Sequence, residues 1–103
     1  MPIIKNISED GKVITLKIQG IFNIALYQDF SLAYKDNLDK GTRFIIDMDE
    51  TDGIDSSALG MLLLLRERAG GDISNISIIN INQSLSKILQ IANFNRLFDI
   101  KIK

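Results

Sequence analysis

The chain has 103 residues, 46% hydrophobic and 24% charged, which suits one soluble globular domain and argues against disorder. Its net charge of −1 offers no basic field for a phosphate backbone, so nucleic-acid binding is not expected. It contains no cysteine and no histidine, which removes disulfides, thiolate chemistry, the commonest general base and the usual zinc ligand.

Met1-Pro2-Ile3-Ile4-Lys5 lacks the charged and long apolar regions of a signal peptide. The longest apolar stretch, Leu59 to Leu65, falls far short of the roughly eighteen residues a membrane span needs. A cytoplasmic domain with no direct membrane insertion is expected.

Ile3, Ile4 and Ile7 predict a short first strand, followed by hairpin-turn chemistry in Ser8-Glu9-Asp10-Gly11. Ile14, Leu16 and Ile18 then alternate with Thr15, Lys17 and Gln19, as in a half-buried strand that Gly20 ends. From Leu26 the period lengthens. Leu26, Phe30, Ala33, Tyr34 and Leu38 share one helical face, with Gly41 as the stop. Phe44-Ile45-Ile46 reads as a central strand covered on both faces.

Asp47 to Asp55 follows as an acidic loop. Ala58 to Leu65 is apolar all round, which predicts a well-buried helix with cations in its last turn and Gly70-Gly71 as the stop. Ile76, Ile78 and Ile79 mark a further strand. Asn82 is placed to cap a third helix that carries Leu85, Ile88, Leu89 and Ala92 on one face. Phe94, Leu97, Phe98 and Ile100 finish the chain as a loop and a short strand. This order predicts one α/β domain over residues 1–103. Its mixed four- to five-stranded sheet would contain parallel β-α-β units, with helices packed against it.

Asp47, Asp49, Glu50, Asp52 and Asp55 place five carboxylates within nine residues. An EF-hand would need glycine at the sixth position of this loop and glutamate at the twelfth, where Asp52 and Ala58 stand. No metal site is expected. An aspartate-phosphorylated receiver would need an acidic pair after its first strand, where Ser8-Glu9-Asp10 looks like a turn. Hydrolytic catalysis would leave Ser56 with no histidine to activate it, so no catalytic residue is assigned.

The run Ile54-Asp55-Ser56-Ser57-Ala58-Leu59-Gly60 carries the strongest functional signal. It sets two hydroxyls and a carboxylate where the acidic loop turns into the apolar helix. A helix start exposes unpaired N–H groups and the positive end of the macrodipole, so it suits an oxygen-bearing cap. It equally suits a serine that carries phosphate reversibly. Ala58 and Gly60 supply small neighbours, as a backbone approached closely by a partner requires.

With strand order, size and this serine assembled, the whole chain resembles the STAS domain, and in particular the small bacterial anti-sigma factor antagonists. The resemblance lies in an apolar strand ending in aspartate, Phe44-Ile45-Ile46-Asp47, a short loop, and Asp55-Ser56-Ser57-Ala58-Leu59-Gly60 opening a helix. It implies a single STAS-like fold with Ser56 as phosphoacceptor and Ser57 as the second candidate. It also implies a partner that is both anti-sigma factor and serine kinase, and a PP2C-like phosphatase that reverses the modification. Asn23, Asp52, Gly53, Ile54, Asp55, Ser56, Ser57, Ala58 and Leu59 would form the partner-binding region, and no cofactor is implied. The chain departs from the pattern at Ala58, where glycine is usual, and at Asn23, where many members carry aspartate.

A phosphoserine adds roughly −1.5 to −2 charges. At position 56 it would join Asp52 and Asp55 with no lysine or arginine adjacent in sequence. Phosphorylation is therefore expected to switch partner binding off. The alternative role is a non-phosphorylated STAS adaptor subunit of a transporter or other membrane complex.

Overall fold

A computed structural model describes residues 2–39 and 41–103. In chain order the elements are β1 (Ile3–Ile7), β2 (Val13–Ile18), β3 (Gly20–Phe22), α1 (Tyr27–Tyr34), β4 (Arg43–Asp47) and β5 (Thr51–Ile54). Then come α2 (Ser56–Arg68), β6 (Asn75–Ile81), α3 (Gln83–Ile91) and β7 (Asp99–Ile102). Five strands form the main sheet in the order β1-β2-β4-β6-β7, with β1 antiparallel to β2 and every later pair parallel. The hairpin turn is held by the Ser8 hydroxyl, which donates to Asp10 Oδ1 at 2.6 Å and accepts from the Val13 N–H at 3.0 Å.

From β2 onward each parallel connection moves one strand further in the same direction. Crossovers of one hand then place α1, α2 and α3 on the same side of the sheet. The packing agrees. Ile14, Leu16, Ile18, Phe44, Ile46, Ile76 and Ile78 join the buried residues of all three helices in a single core. The expectation that Phe44-Ile45-Ile46 is covered on both faces is therefore corrected. Phe44 and Ile46 are fully buried, whereas Ile45 lies on the helix-free face, in register with Thr15 and Ser77, and is only half-buried.

β2 stops at Ile18, before Gly20 as expected, and Gly20 turns the chain at φ 81° into an unexpected further strand, β3. Three other expectations change. The supposed loop holds a strand, since β5 pairs with β3 in a separate two-stranded parallel sheet. The first helix begins after a 3-10 turn at Ile24–Leu26 and stops at Tyr34, well before Gly41. The polar run Lys35-Asp36-Asn37 favours a turn, closed by the Asn37 N–H on the Tyr34 carbonyl at 2.9 Å. Leu38 packs on the core from beyond the helix. Finally, α2 is not buried all round, because Leu63 is 41% exposed.

Phe22, Phe30, Tyr34 and Phe44 form a continuous row of tilted and edge-on rings, with centroids 5.2, 5.5 and 6.3 Å apart. This row fastens β3 and α1 onto β4 and so fixes one flank of the region around Ser56. Asn82 caps α3 as expected, its Oδ1 accepting the Leu85 N–H at 2.9 Å.

Candidate functional site at the start of the second helix

The small sheet assembles the site. Ile21 pairs with Gly53 and Phe22 with Ile54, so the two parallel strands end together. The residues that leave them at that end are Asn23 and Asp55, and the Asp55 N–H still bonds the Phe22 carbonyl at 3.4 Å. Asn23 and the 52–59 segment, far apart in sequence, therefore meet. Each of the two side chains caps the helical turn after it. Asn23 Oδ1 accepts the Ala25 N–H at 3.0 Å, and Asp55 Oδ1 accepts the Ala58 N–H at 3.1 Å.

The two serines differ. The Ser57 hydroxyl is half-buried and donates to Asp55 Oδ1 at 2.6 Å. That bond is the largest cause, with the Ala58 N–H next, of an Asp55 carboxyl held below the usual aspartate value. Ser56 is exposed, and among the described residues its hydroxyl has no hydrogen-bond partner. Asp52 is exposed as well; Gly53, Ile54 and Leu59 are half-buried. Ala58 is fully buried, so it faces the core and has no access to a partner, contrary to its place in the expected contact region.

The acidic loop is held from three directions. Asp47 Oδ1 accepts the Asp49 N–H and the Asn80 side-chain amide, each at 3.0 Å. Glu50 pairs with Lys17 at 2.6 Å, and Asp49 pairs with Lys103 at 2.7 Å. The buried Thr51 hydroxyl donates to the Ile18 carbonyl at 2.7 Å. These ion pairs lower the pKa of Asp49 and Glu50 and raise that of Lys17. The negative charge of the loop is thereby narrowed. Asp49 and Glu50 are neutralised locally, whereas among the described residues Asp52 and Asp55 have no cationic partner within ion-pair distance.

Sequence reasoning missed part of this surface. Along α2 the exposed positions are Ser56, Gly60, Leu63, Glu67 and Arg68, and the first four form one stripe at helical spacing that extends from the serine. Ile21 and Ile24, which flank Asn23, are 54% and 65% exposed. Gly60, already read from the sequence as a small neighbour of the serine, continues this stripe. Gly60 sits in a helix interior, and a Cβ there would meet nothing within 4 Å, so the fold itself gives no reason for it.

Among the described residues no group of three or more acidic side chains is gathered as a metal cage. Among the described residues no helix is long and apolar enough to cross a membrane.

Residues 6–100 match the family profile described as Mlab, STAS domain. The chain is 45% identical over 93 residues to a STAS-domain containing protein of Pseudomonas aeruginosa (strain UCBPP-PA14), covering 90% of this chain and 92% of that one. Its fold superposes with a TM-score of 0.81 on a Thermotoga maritima protein assigned as an anti-sigma factor antagonist, at 20% identity over 98% of this chain and 86% of the other. It also superposes on the anti-sigma factor antagonist SpoIIAA in its unphosphorylated form, with a TM-score of 0.73 and 11% identity over 98% and 87% of the two chains. The phosphorylated form of SpoIIAA from Bacillus gives 0.72 and 11% over 95% and 89%. By this profile match and this close relative, the chain belongs to the STAS domain family, whose members are binding modules rather than enzymes.

Proposed function

We propose that this protein is an anti-sigma factor antagonist switched by phosphorylation of Ser56. Its unphosphorylated form binds an anti-sigma factor that is also a serine kinase, and a sigma factor is released as a result. Transfer of phosphate to Ser56 ends that binding, and a PP2C-like phosphatase restores it, all within the cytoplasm. The observation that carries this reading is the exposed Ser56 hydroxyl at the first position of α2, which has no hydrogen-bond partner among the described residues. The related fold of SpoIIAA, known in unphosphorylated and phosphorylated forms, supports it.

The direction of the switch follows from local charge. A phosphate at Ser56 sits at a helix N-terminus that tolerates an anion, so the domain stays folded. A partner surface matched to a neutral Ser56 then meets a dianion beside Asp52 and Asp55. A mispaired interfacial charge costs a few kcal/mol, which lowers affinity on the order of a hundredfold or more.

The test is to measure binding to the kinase partner, and phosphate incorporation from ATP, for three variants. Ser56→Asp weakens binding, Ser56→Ala binds constitutively and takes up no phosphate, and Ser57→Ala is still phosphorylated. Equal affinity of the Asp and Ala variants contradicts the switch. Absence of phosphate together with co-purification of a transporter complex favours the adaptor role.

A further inference from the structure

Asp55 touches the two serines unequally. Its Oδ1 holds the Ser57 hydroxyl at 2.6 Å and the Ala58 N–H at 3.1 Å, while the Ser56 hydroxyl has no partner among the described residues. An O–H···O⁻ bond of that length is charge-assisted and roughly twice as strong as one between neutral groups. Ser57 is also half-buried where Ser56 is exposed. To be modified, Ser57 must first give up this bond and turn outward.

We infer that Asp55 is a specificity-determining positioning residue, which confines phosphoryl transfer to Ser56 by holding the Ser57 hydroxyl against the helix start. The inference rests on the phosphorylation reading above. In the transfer itself, Ser56 Oγ forms a bond to the γ-phosphorus of a nucleoside triphosphate as the bond from that phosphorus to the β,γ-bridging oxygen breaks. The nucleoside diphosphate leaves with that oxygen, and the hydroxyl proton passes to a base on the kinase. Asp55 touches none of these reacting atoms; it acts by keeping the neighbouring nucleophile occupied.

The experiment incubates the full chain with ATP and the serine kinase that modifies the wild type, then locates phosphate by peptide mass spectrometry. In the wild type, phosphate resides on Ser56. In Asp55→Ala and Asp55→Gly, the Ser57 share rises on the order of tenfold, as expected for loss of a bond to a charged group. Glycine is included because it is well tolerated at a helix start, so that variant releases Ser57 with little loss of helix stability. Asp55→Asn retains an Oδ1 acceptor and restores the preference for Ser56. With Ser56→Ala as background, adding Asp55→Gly creates a chain that accepts phosphate at Ser57. A Ser57 share unchanged in both Asp55→Ala and Asp55→Gly overturns the inference while leaving Ser56 as acceptor. Phosphate on Ser57 of the wild type, or on neither serine, overturns the phosphorylation reading itself.

Discussion

Asn80 donates its side-chain amide to Asp47 Oδ1 at 3.0 Å from a backbone held at φ 60°, in the left-handed region. Few residues other than glycine adopt that conformation readily, and it coincides with a register shift between β6 and β7. The bond helps lock the turn from which β5 sets out toward Ser56. Asn80→Val both forbids the backbone and removes the donor, so it should destabilise the domain by about 2 kcal/mol or more. Asn80→Gly relieves the backbone and loses only the bond, so it should fall between valine and wild type in a urea titration.

Gly60→Ala separates stability from function. Alanine is favoured over glycine in a helix interior by about 0.5–1 kcal/mol, and open space lies where the methyl would go. Thermal unfolding should shift upward. Affinity for the kinase partner should fall, because the methyl stands on the exposed stripe next to Ser56. A variant that is both more stable and binds equally well would show that the partner docks elsewhere.

The acid and alkaline limbs of stability have named sources. Asp55 is depressed by the Ser57 hydroxyl, Asp49 by Lys103 and Glu50 by Lys17. A carboxylate whose folded pKa lies below its unfolded one stabilises the fold fully above the unfolded value. Here those ordinary values are 3.8 for the aspartates and 4.5 for Glu50, and the contribution fades as pH falls through the folded pKa. Lys17, raised by Glu50, contributes fully below 10.5 and loses its contribution as pH climbs through its raised pKa. The urea midpoint should therefore decline below about pH 4.5. The direct check is an NMR titration of Asp55, whose pKa should rise toward the ordinary value in Ser57→Ala.

Tyr34 has a fully buried ring, and among the described residues its hydroxyl has no hydrogen-bond partner. Leaving a buried donor unsatisfied costs about 1–3 kcal/mol, so Tyr34→Phe should be neutral or stabilising by up to about 1 kcal/mol. Tyr34→Ala opens the aromatic row and should cost about 3–5 kcal/mol in chemical denaturation.

Much of this architecture is legible in the residues because local and global preferences agree. The alternation of Ile14, Leu16 and Ile18 marks the core face of β2, and Asn82 caps α3. β5 is hidden for a physical reason. Thr51-Asp52-Gly53-Ile54 contains two residues poor in strands, and its stabilising partner lies some thirty positions earlier in Gly20–Phe22. Nothing local announces that pairing. The open side of the sheet is equally silent in the residues, since Ile45 is as apolar as Ile46 and only the direction of the crossovers decides which of them meets water. At the site, the order Asp-Ser-Ser identifies a cap and two hydroxyls. Which hydroxyl is free depends on the 2.6 Å bond between Ser57 and Asp55, which is a matter of side-chain rotation.

The one-sided helical roof has a consequence for mutational freedom. On β2 and β4 each residue answers either to the helices or to water, and the two sets interleave along the same strand. Thr15, Lys17, Arg43, Ile45 and Asp47 share the uncovered side, away from the packed side chains of Leu16, Phe44 and Ile46. Except at Asp47, tied to Asn80, at Lys17, paired with Glu50, and at Arg43, bonded to the buried Ser77, the electric character of that flat side can be rewritten while the hydrophobic interior and the serine-bearing corner keep their shape.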